Sequence, residues 1–198
     1  MANTIHLVRH GHHALLGRLL CGRMPGVELD ELGCRQIALC AELISPEPTI
    51  VQSSPQLRAR QSATILAERF GLPVEIVPEM DEIDLGDWTS ASFVELVHDP
   101  CWNQWNAQRG ASCPPNGESM RSLQTRVVSH LERLVEEATD GTIVIVSHAE
   151  PIRAALLHYL RIPLDDFRAV EIGPASISTL VHNGRTLGVT RINQEVPA

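Results

Sequence analysis

Two histidines follow predicted strands at the point where each strand ends. His10 lies in the break that follows the β-forming run at residues 4–8, and His148 follows the apolar run at residues 142–146. In open α/β sheets, ligands bind beyond the carboxyl ends of the strands. If the two strands are neighbours, both imidazoles face one crevice. An ordinary loop histidine without a chemical role is the alternative for each.

Two arginines add positive charge to the same predicted crevice. Arg9 adjoins His10, and Arg58 follows a third predicted strand at residues 49–52. Such a cluster suits a dianion, above all a phosphate monoester, whose second pKa is about 6. Charge-assisted hydrogen bonds of about 1.5–3 kcal/mol each would hold the phosphate oxygens. For any single arginine, the alternative is a solvated surface charge.

All 16 basic residues other than histidine are arginines, because the sequence contains no lysine. This composition excludes Schiff-base chemistry, a pyridoxal-phosphate anchor and a Walker-type phosphate loop, each of which needs a lysine. Any bound anion must therefore be held by arginine, histidine, backbone N–H groups or a metal. A codon bias towards arginine explains the composition without any function.

The overall composition is that of an ordinary acidic protein. A net charge of −8 and 4% aromatic residues argue against nucleic-acid binding, since neither a basic surface nor stacking platforms are expected. Five cysteines without a C-x-x-C pair indicate reduced thiols and a cytoplasmic location. We expect no secretory signal and no membrane span. The oligomeric state, including a homodimer, stays open.

Hydrophobic periodicity predicts strands that alternate with helices. The predicted strands are residues 4–8, 49–52, 74–77 and 142–146, with a hairpin formed by 176–182 and 186–192. The predicted helices are residues 30–44, 56–70, 118–137 and 151–160. Alternation of this kind implies βαβ units and an α/β fold with a mainly parallel sheet.

One long segment, residues 79–115, interrupts this alternation. It contains three prolines and all three tryptophans of the chain, and we expect short helices in it. Long excursions inside a compact domain are often lids or substrate loops. We therefore predict a single domain over residues 1–198 with a lid-like insertion, in which Trp102 and Trp105 pack the lid onto the body or stack on substrate.

Six sequence motifs occur in a fixed order along nearly the whole chain. They are Arg9-His10-Gly11; Gly22-Arg23 with residues 29–36; Ser53-Ser54-Pro55 with Arg58-Ala59 and Gln61; Glu82 with Gly86 and Trp88; Pro115-Asn116-Gly117-Glu118-Ser119; and Val146-Ser147-His148-Ala149. Together they resemble the histidine phosphatase superfamily, in its phosphoglycerate-mutase-like branch. The resemblance implies a three-layer sandwich, with a mainly parallel central sheet flanked by helices.

The resemblance also implies a role for each matching residue. His10 is the nucleophile that forms a phosphohistidine, while Arg9, Arg58 and His148 hold the phosphoryl oxygens. Glu82 protonates the leaving oxygen and then activates water, and neither a metal nor a cofactor takes part. Asp81, Asp84 and Asp87 are competing carboxylates.

These roles set physical requirements on the ionisable groups. One ring nitrogen of His10 should donate to a carbonyl oxygen, so that the other keeps its lone pair. Positive neighbours should oppose protonation of His10. His148 should be cationic when phosphate is bound, and Glu82 should stay protonated near neutral pH beside a dianion.

The chain departs from the family pattern around the predicted pocket. His12 and His13 stand where the family has an amide or acidic residue followed by Thr or Ser, and Leu16 replaces an asparagine. Ala149 and Glu150 follow the second histidine, where glycine is usual. The substrate-facing rim is therefore altered.

Three further residues are candidates for substrate contact at this rim. They are His12, Arg23 and Ala149. For His12 and Arg23, a loop position without such a role is the alternative.

The combined pattern predicts a metal-independent phosphatase for a small phosphorylated metabolite. A phosphoglycerate mutase is the first alternative, although mutases generally have a longer insertion with extra basic residues, often lysine. A metal hydrolase built on His10, His12 and His13 is the second, but the spacing does not match H-E-x-x-H. A non-catalytic relative that binds a phosphorylated ligand is the third.

Overall fold

The computed structural model describes residues 4–137 and 141–196. Its centre is a six-stranded sheet in the order β3-β2-β4-β1-β5-β6. The strands are β1 (Thr4–Arg9), β2 (Ile50–Ser53), β3 (Val74–Ile76), β4 (Thr142–Ser147), β5 (Ile177–His182) and β6 (Leu187–Gln194). Strands β1 to β4 are mutually parallel, whereas β5 and β6 are antiparallel. The predicted mainly parallel sheet is confirmed.

Helices cover both faces of this sheet. They are α1 (Glu31–Ala41), α2 (Leu57–Phe70), α3 (Phe93–Leu96), α4 (Pro100–Ala107), α5 (Met120–Glu137) and α6 (Ala149–Leu160). Helices α1 and α2 pack on one face, and α5 and α6 on the other. The three-layer α/β architecture is therefore as expected. None of the helices in the described ranges is long and apolar enough to cross a membrane.

The central strand β4 shows why two layers of helices are needed. All six of its residues are buried. Ile143 and Ile145 belong to the core beneath α5 and α6, whereas Val144 and Val146 belong to the core beneath α1 and α2. Side chains alternate between the two faces of a strand, so a continuous apolar run must be covered on both sides.

The helix ends follow local chemistry, with small shifts from the predicted bounds. Asp30 caps α1 by accepting a hydrogen bond from the Gly33 N–H at 2.9 Å, and the helix ends three residues earlier than predicted, before a turn and Pro46. Gly71 ends α2 in a left-handed conformation at φ 67°, the common glycine cap. Helix α6 begins two residues before Pro151, which lies in its first turn.

The predicted excursion contains short helices rather than a single long loop. Short 3₁₀ turns at Pro78–Met80 and Gly86–Trp88 precede α3 and α4. Trp88, Trp102 and Trp105 form one aromatic cluster, with ring centroids 5.3–5.7 Å apart. The tryptophans thus pack against one another within the segment.

Burial predicts that truncating a leucine of α5 destabilises the protein far more than truncating an exposed leucine of α1. Leu131 is fully buried, whereas Leu39 on α1 is 48% exposed. We expect Leu131→Ala to lower the free energy of unfolding by about 2–5 kcal/mol. The matched control, Leu39→Ala, should change it by about 0.5 kcal/mol or less. Equal losses in urea titrations of the two variants would contradict this packing.

Candidate active site

The pairing of β1 with β4 brings the two strand-end histidines together. Arg9 lies opposite Ser147 in the parallel register, so His10 and His148 follow at the same edge of the sheet. The His10 N–H donates to the Ser147 carbonyl oxygen at 3.0 Å. The two imidazole centroids are 5.1 Å apart, and both rings are buried. The structure therefore places both predicted histidines in one site.

His10 is held with one ring nitrogen committed and the other directed to Arg58. The Gly11 carbonyl oxygen lies 2.8 Å from Nδ1 and accepts its proton, so Nε2 keeps the lone pair that a nucleophile needs. The Arg58 Nε donates to this Nε2 at 3.3 Å. Burial first, then the positive charges of Arg9 and Arg58, lower the pKa of His10 well below its ordinary value. The ring is therefore neutral.

Arg9 and Arg58 each have one buried donor without a protein acceptor among the described residues. Arg58 Nη2 donates to the Gly22 carbonyl oxygen and Arg9 Nη1 to the Ile172 carbonyl oxygen, both at 2.7 Å. Arg58 Nη1 and Arg9 Nε have no such partner. An unsatisfied buried donor costs about 1–3 kcal/mol, and more when it is charged. An anion with several oxygens would satisfy both groups.

His148 lies next to His10 but does not line the cavity. Its side chain is fully buried, and Nε2 is 2.7 Å from the Ser54 hydroxyl, which also lies 3.3 Å from Asp81. The other nitrogen, Nδ1, has no protein partner in the described chain. Burial first, then Arg58, lower the pKa of His148 well below its ordinary value. In this ligand-free arrangement the ring is neutral, so a cationic state would need a bound anion.

Glu82 lines the cavity together with a second carboxylate, Glu150, which is paired with Arg109 and Arg153. One of its oxygens accepts the Ile83 N–H at 2.9 Å. Burial first, then the Glu150 carboxylate, raise the pKa of Glu82 to about 7. The group is therefore about half protonated at neutral pH. The expected upward shift is present without a bound dianion, because burial already produces it.

The three competing carboxylates are occupied elsewhere. Asp81 accepts hydrogen bonds from Ser54, Gln56 and the Glu82 N–H. Asp84 accepts the Gly86 N–H, and Asp87 accepts the Asn116 side chain. None of the three lines the cavity. Of the four carboxylates that the sequence offered for the acid role, Glu82 alone lines the cavity.

Arg23 supports Glu82 from behind, which corrects its assignment to substrate contact. Its Nε donates to the Glu82 carbonyl oxygen at 2.8 Å, and Nη2 donates to Glu118 at 3.2 Å. Arg126 also donates to the Glu82 carbonyl oxygen and binds both oxygens of Glu118. Arg23 is absent from the residues that line the cavity, because its donors hold the backbone that carries the acid.

His12 is also turned away from the cavity, so its assignment to substrate contact is corrected too. Its Nδ1 lies 2.6 Å from an Asp30 carboxylate oxygen, and its N–H donates to Gln36. The loop fits against α1 because a Cβ on Gly33 would lie 2.1 Å from the His12 carbonyl oxygen. The His12 ring is directed to Asp30 rather than to His10 and His13, and within the described ranges no group of three His, Cys, Asp or Glu residues could hold a metal ion.

A cavity of about 260 Å³ opens above His10. Arg9, His10 and Arg58 line it, and we call these three residues its floor; Glu82 and Ala149 also line it. Contact of Ala149 with substrate stays a prediction. A larger cleft of about 490 Å³ lies near the carboxyl ends of α5 and α6 and contains none of these residues.

Two residues of this cavity were not among the predicted site residues. His13 is buried with its ring centroid 5.3 Å from that of His10, and its Nδ1 has no protein partner in the described chain. Burial first, then Arg58 and Arg9, lower the pKa of His13 to about 4. Arg109 pairs with Glu150 at 2.8 Å. Proximity to His10 was a signal for His13, whereas no motif marks Arg109.

The family model of the histidine phosphatase superfamily (branch 1) matches residues 5–195. The chain belongs to this superfamily. The resemblance carried by the six motifs is therefore confirmed, and this histidine phosphatase fold extends over almost all of the chain.

Curated relatives of this superfamily member include proteins of different lengths. A bifunctional protein of Mycobacterium tuberculosis is 33% identical over 155 residues, which are 76% of this chain and 42% of that protein. The chain thus matches less than half of the length of that relative. Phosphoserine phosphatase 1 of Hydrogenobacter thermophilus is 29% identical over 178 residues, 87% of this chain and 84% of that enzyme.

A solved structure shows the same architecture. The mycobacterial glucosyl-3-phosphoglycerate phosphatase is 25% identical, with a TM-score of 0.86, and the match covers 98% of this chain and all of that one. The whole superfamily fold, including the excursion, is therefore shared with this phosphatase.

The buried environment predicts neutral rings for His10 and His13 in the ligand-free protein. We expect nitrogen-15 NMR to show both as neutral at about pH 6, below the ordinary histidine pKa of about 6.5. His10 should carry its proton on Nδ1, because the Gly11 carbonyl oxygen accepts it there. A cationic signature for His10 at this pH, or a proton on Nε2, would contradict the arrangement.

Proposed function

We propose that this protein is a metal-independent phosphatase that hydrolyses a small phosphate monoester through a phosphohistidine on His10. One observation carries the proposal: a neutral, buried imidazole with an unprotonated Nε2 lies beside two buried arginine donors that have no protein acceptor in the described chain. Phosphoryl transfer depends mainly on positioning and charge stabilisation, and these groups supply both. The superfamily and its phosphatase relatives support the same activity.

The first step transfers the phosphoryl group to the protein. The phosphate oxygens accept hydrogen bonds from Arg9 and Arg58, which releases the Nε2 lone pair from the Arg58 Nε. Nε2 then forms a bond to phosphorus, and the bond to the ester oxygen breaks. The electron pair goes to that oxygen, which takes a proton from Glu82. His148 carries a proton in this complex and stabilises the phosphoryl charge.

The second step restores the free enzyme. The Glu82 carboxylate takes a proton from a water molecule, whose oxygen attacks phosphorus. The bond between phosphorus and Nε2 breaks, and its electron pair returns to the imidazole. Glu82 suits both steps because a pKa of about 7 makes both of its protonation states available near neutral pH.

The nucleophile is tested by hydrolysis of 4-nitrophenyl phosphate in excess chelator. We expect wild-type activity to survive chelation, and His10→Ala to lower kcat/KM by at least about 10³-fold, because the covalent step is lost. His98→Ala is the matched control, since this exposed histidine lies outside the cavity. Loss of wild-type activity on chelation would eliminate the metal-independent mechanism, and an active His10→Ala would eliminate the nucleophile.

The same assay separates the alternatives to hydrolysis. Phosphate-sensitive ligand binding without turnover would favour a binding protein. Return of the phosphoryl group to an alcohol rather than to water would favour a mutase. Acid-quenched enzyme should also carry phosphate on His10 during turnover, as mass spectrometry of the intact chain can show.

Glu82 is tested by the pH dependence of kcat/KM for an alkyl phosphate. The protonated acid is the active form in the first step, so activity should fall as pH rises above about 7. Glu82→Gln should abolish this fall in activity above pH 7 and lower kcat/KM by about 10²–10⁴-fold. The loss should be smaller for 4-nitrophenyl phosphate, because a nitrophenolate leaves without a proton. Asp87→Asn, a change at an exposed neighbouring carboxylate, is the control. An unchanged pH profile in Glu82→Gln would remove Glu82 from the acid role.

A further inference from the structure

The cavity above the phosphate-binding floor has an apolar wall. We define this apolar wall as Leu16, Leu19, Leu20, Ile83, Phe93 and Trp102, all of which line the same cavity as His10. Three of these residues come from the loop after β1, and the others come from the excursion between β3 and α5. One wall residue, Ile83, directly follows Glu82, the residue proposed to protonate the leaving oxygen.

Backbone hydrogen bonds join the two halves of the apolar wall. The Leu20 N–H donates to the Ala91 carbonyl oxygen, and the Ser90 N–H donates to the Leu20 carbonyl oxygen, both at 2.9 Å. Leu19 and Ser92 form an isolated β-bridge. Trp102 packs on Phe93 at a centroid distance of 6.3 Å. The wall is therefore a built part of the cavity rather than a chance contact between mobile loops.

The charged residues beyond the floor neutralise each other. Arg109 and Glu150 line the cavity and pair at 2.8 Å, and Glu150 also binds Arg153. The Arg109 guanidinium lies 3.9 Å from the Trp105 ring centroid and 3.5 Å from that of Phe167. It lies between two rings, with Nη1 on Glu150 and Nη2 on Asn106, and only its buried Nε has no protein acceptor in the described chain. The Glu150 carboxylate already balances the Arg109 charge, so we expect a second anionic group of a substrate to gain little there.

We propose that the apolar wall binds the organic part of the substrate, and that this part is uncharged, apolar and about the size of a single ring. This inference rests on the proposed phosphatase function. A carboxylate or ammonium group against the wall would lose hydration without gaining a partner. The size of the cavity restricts the choice of organic group further. Its volume of about 260 Å³ is below the range of about 300–1,000 Å³ for pockets that bind drug-sized ligands.

The test compares kcat/KM for three esters whose alcohols all leave poorly and all need the acid. Benzyl phosphate carries an apolar ring, whereas O-phosphoserine and 3-phosphoglycerate carry charged groups. We expect benzyl phosphate to be preferred by at least about tenfold, since burying a ring is favourable and burying a charge is not. Equal or better use of either charged ester would overturn the inference.

Variants of the wall assign this preference to named side chains. Phe93→Ala should lower kcat/KM for benzyl phosphate by about 3- to 10-fold, because part of the apolar contact is lost. The same variant should leave methyl phosphate, which lacks the ring, within about twofold. Phe93→Leu should restore most of the activity. Val94→Ala is the matched control, because this next residue of α3 is 77% exposed and does not line the cavity.

The outcomes distinguish failure of the inference from failure of the proposed function. If His10-dependent hydrolysis occurs but Phe93→Ala affects benzyl and methyl phosphate equally, the apolar wall does not bind the organic group and the phosphatase proposal stands. If the wild type hydrolyses no ester, including 4-nitrophenyl phosphate, the proposed function fails and the inference fails with it.

Discussion

The parallel register between β1 and β4 is the constraint on which the rest of the site depends. A backbone hydrogen bond from His10 to Ser147 continues the ladder one residue beyond the strands. A shift of one residue would turn alternate side chains to the opposite face, which would exchange the valines and isoleucines of β4 between the two cores and separate the two imidazoles. Core packing and catalytic geometry are thus specified by the same pairing.

The charge distribution of the site results from the burial of basic side chains at the ends of β1 and β4. Arg9, Arg58, His10 and His148 converge where water is largely excluded, so their charges act at short range. Both histidines stay neutral, because burial first and then the neighbouring positive charges lower the pKa of each. Glu118 stabilises the opposite side, where it pairs with Arg23 and Arg126 while both arginines hold the Glu82 backbone. One anionic residue thus positions the acid without itself entering the cavity.

The sequence was most informative where strand ends and glycine-limited turns determine position. His10, His148 and Arg58 follow strands whose apolar patterns are clear, and the hairpin of β5 and β6 was predicted from its turn residues. It was least informative about the direction of loop side chains. His12 and His13 are adjacent, yet one ring binds Asp30 and the other packs on His10. Arg109 was missed because its environment consists of Trp105, Phe167 and Glu150, which come from distant parts of the chain.

The hydrogen bond from Arg58 Nε to His10 Nε2 has a consequence for chemical selectivity. In the ligand-free protein the reactive lone pair is occupied by the residue that also binds the phosphoryl group. An uncharged electrophile offers Arg58 no better acceptor, so the His10 Nε2 stays hydrogen-bonded to Arg58 and cannot attack it. In the proposed reaction, a phosphate dianion would draw the guanidinium to its own oxygens and uncover the nitrogen as it arrives. Recognition of the anion and exposure of the nucleophile would then be one event.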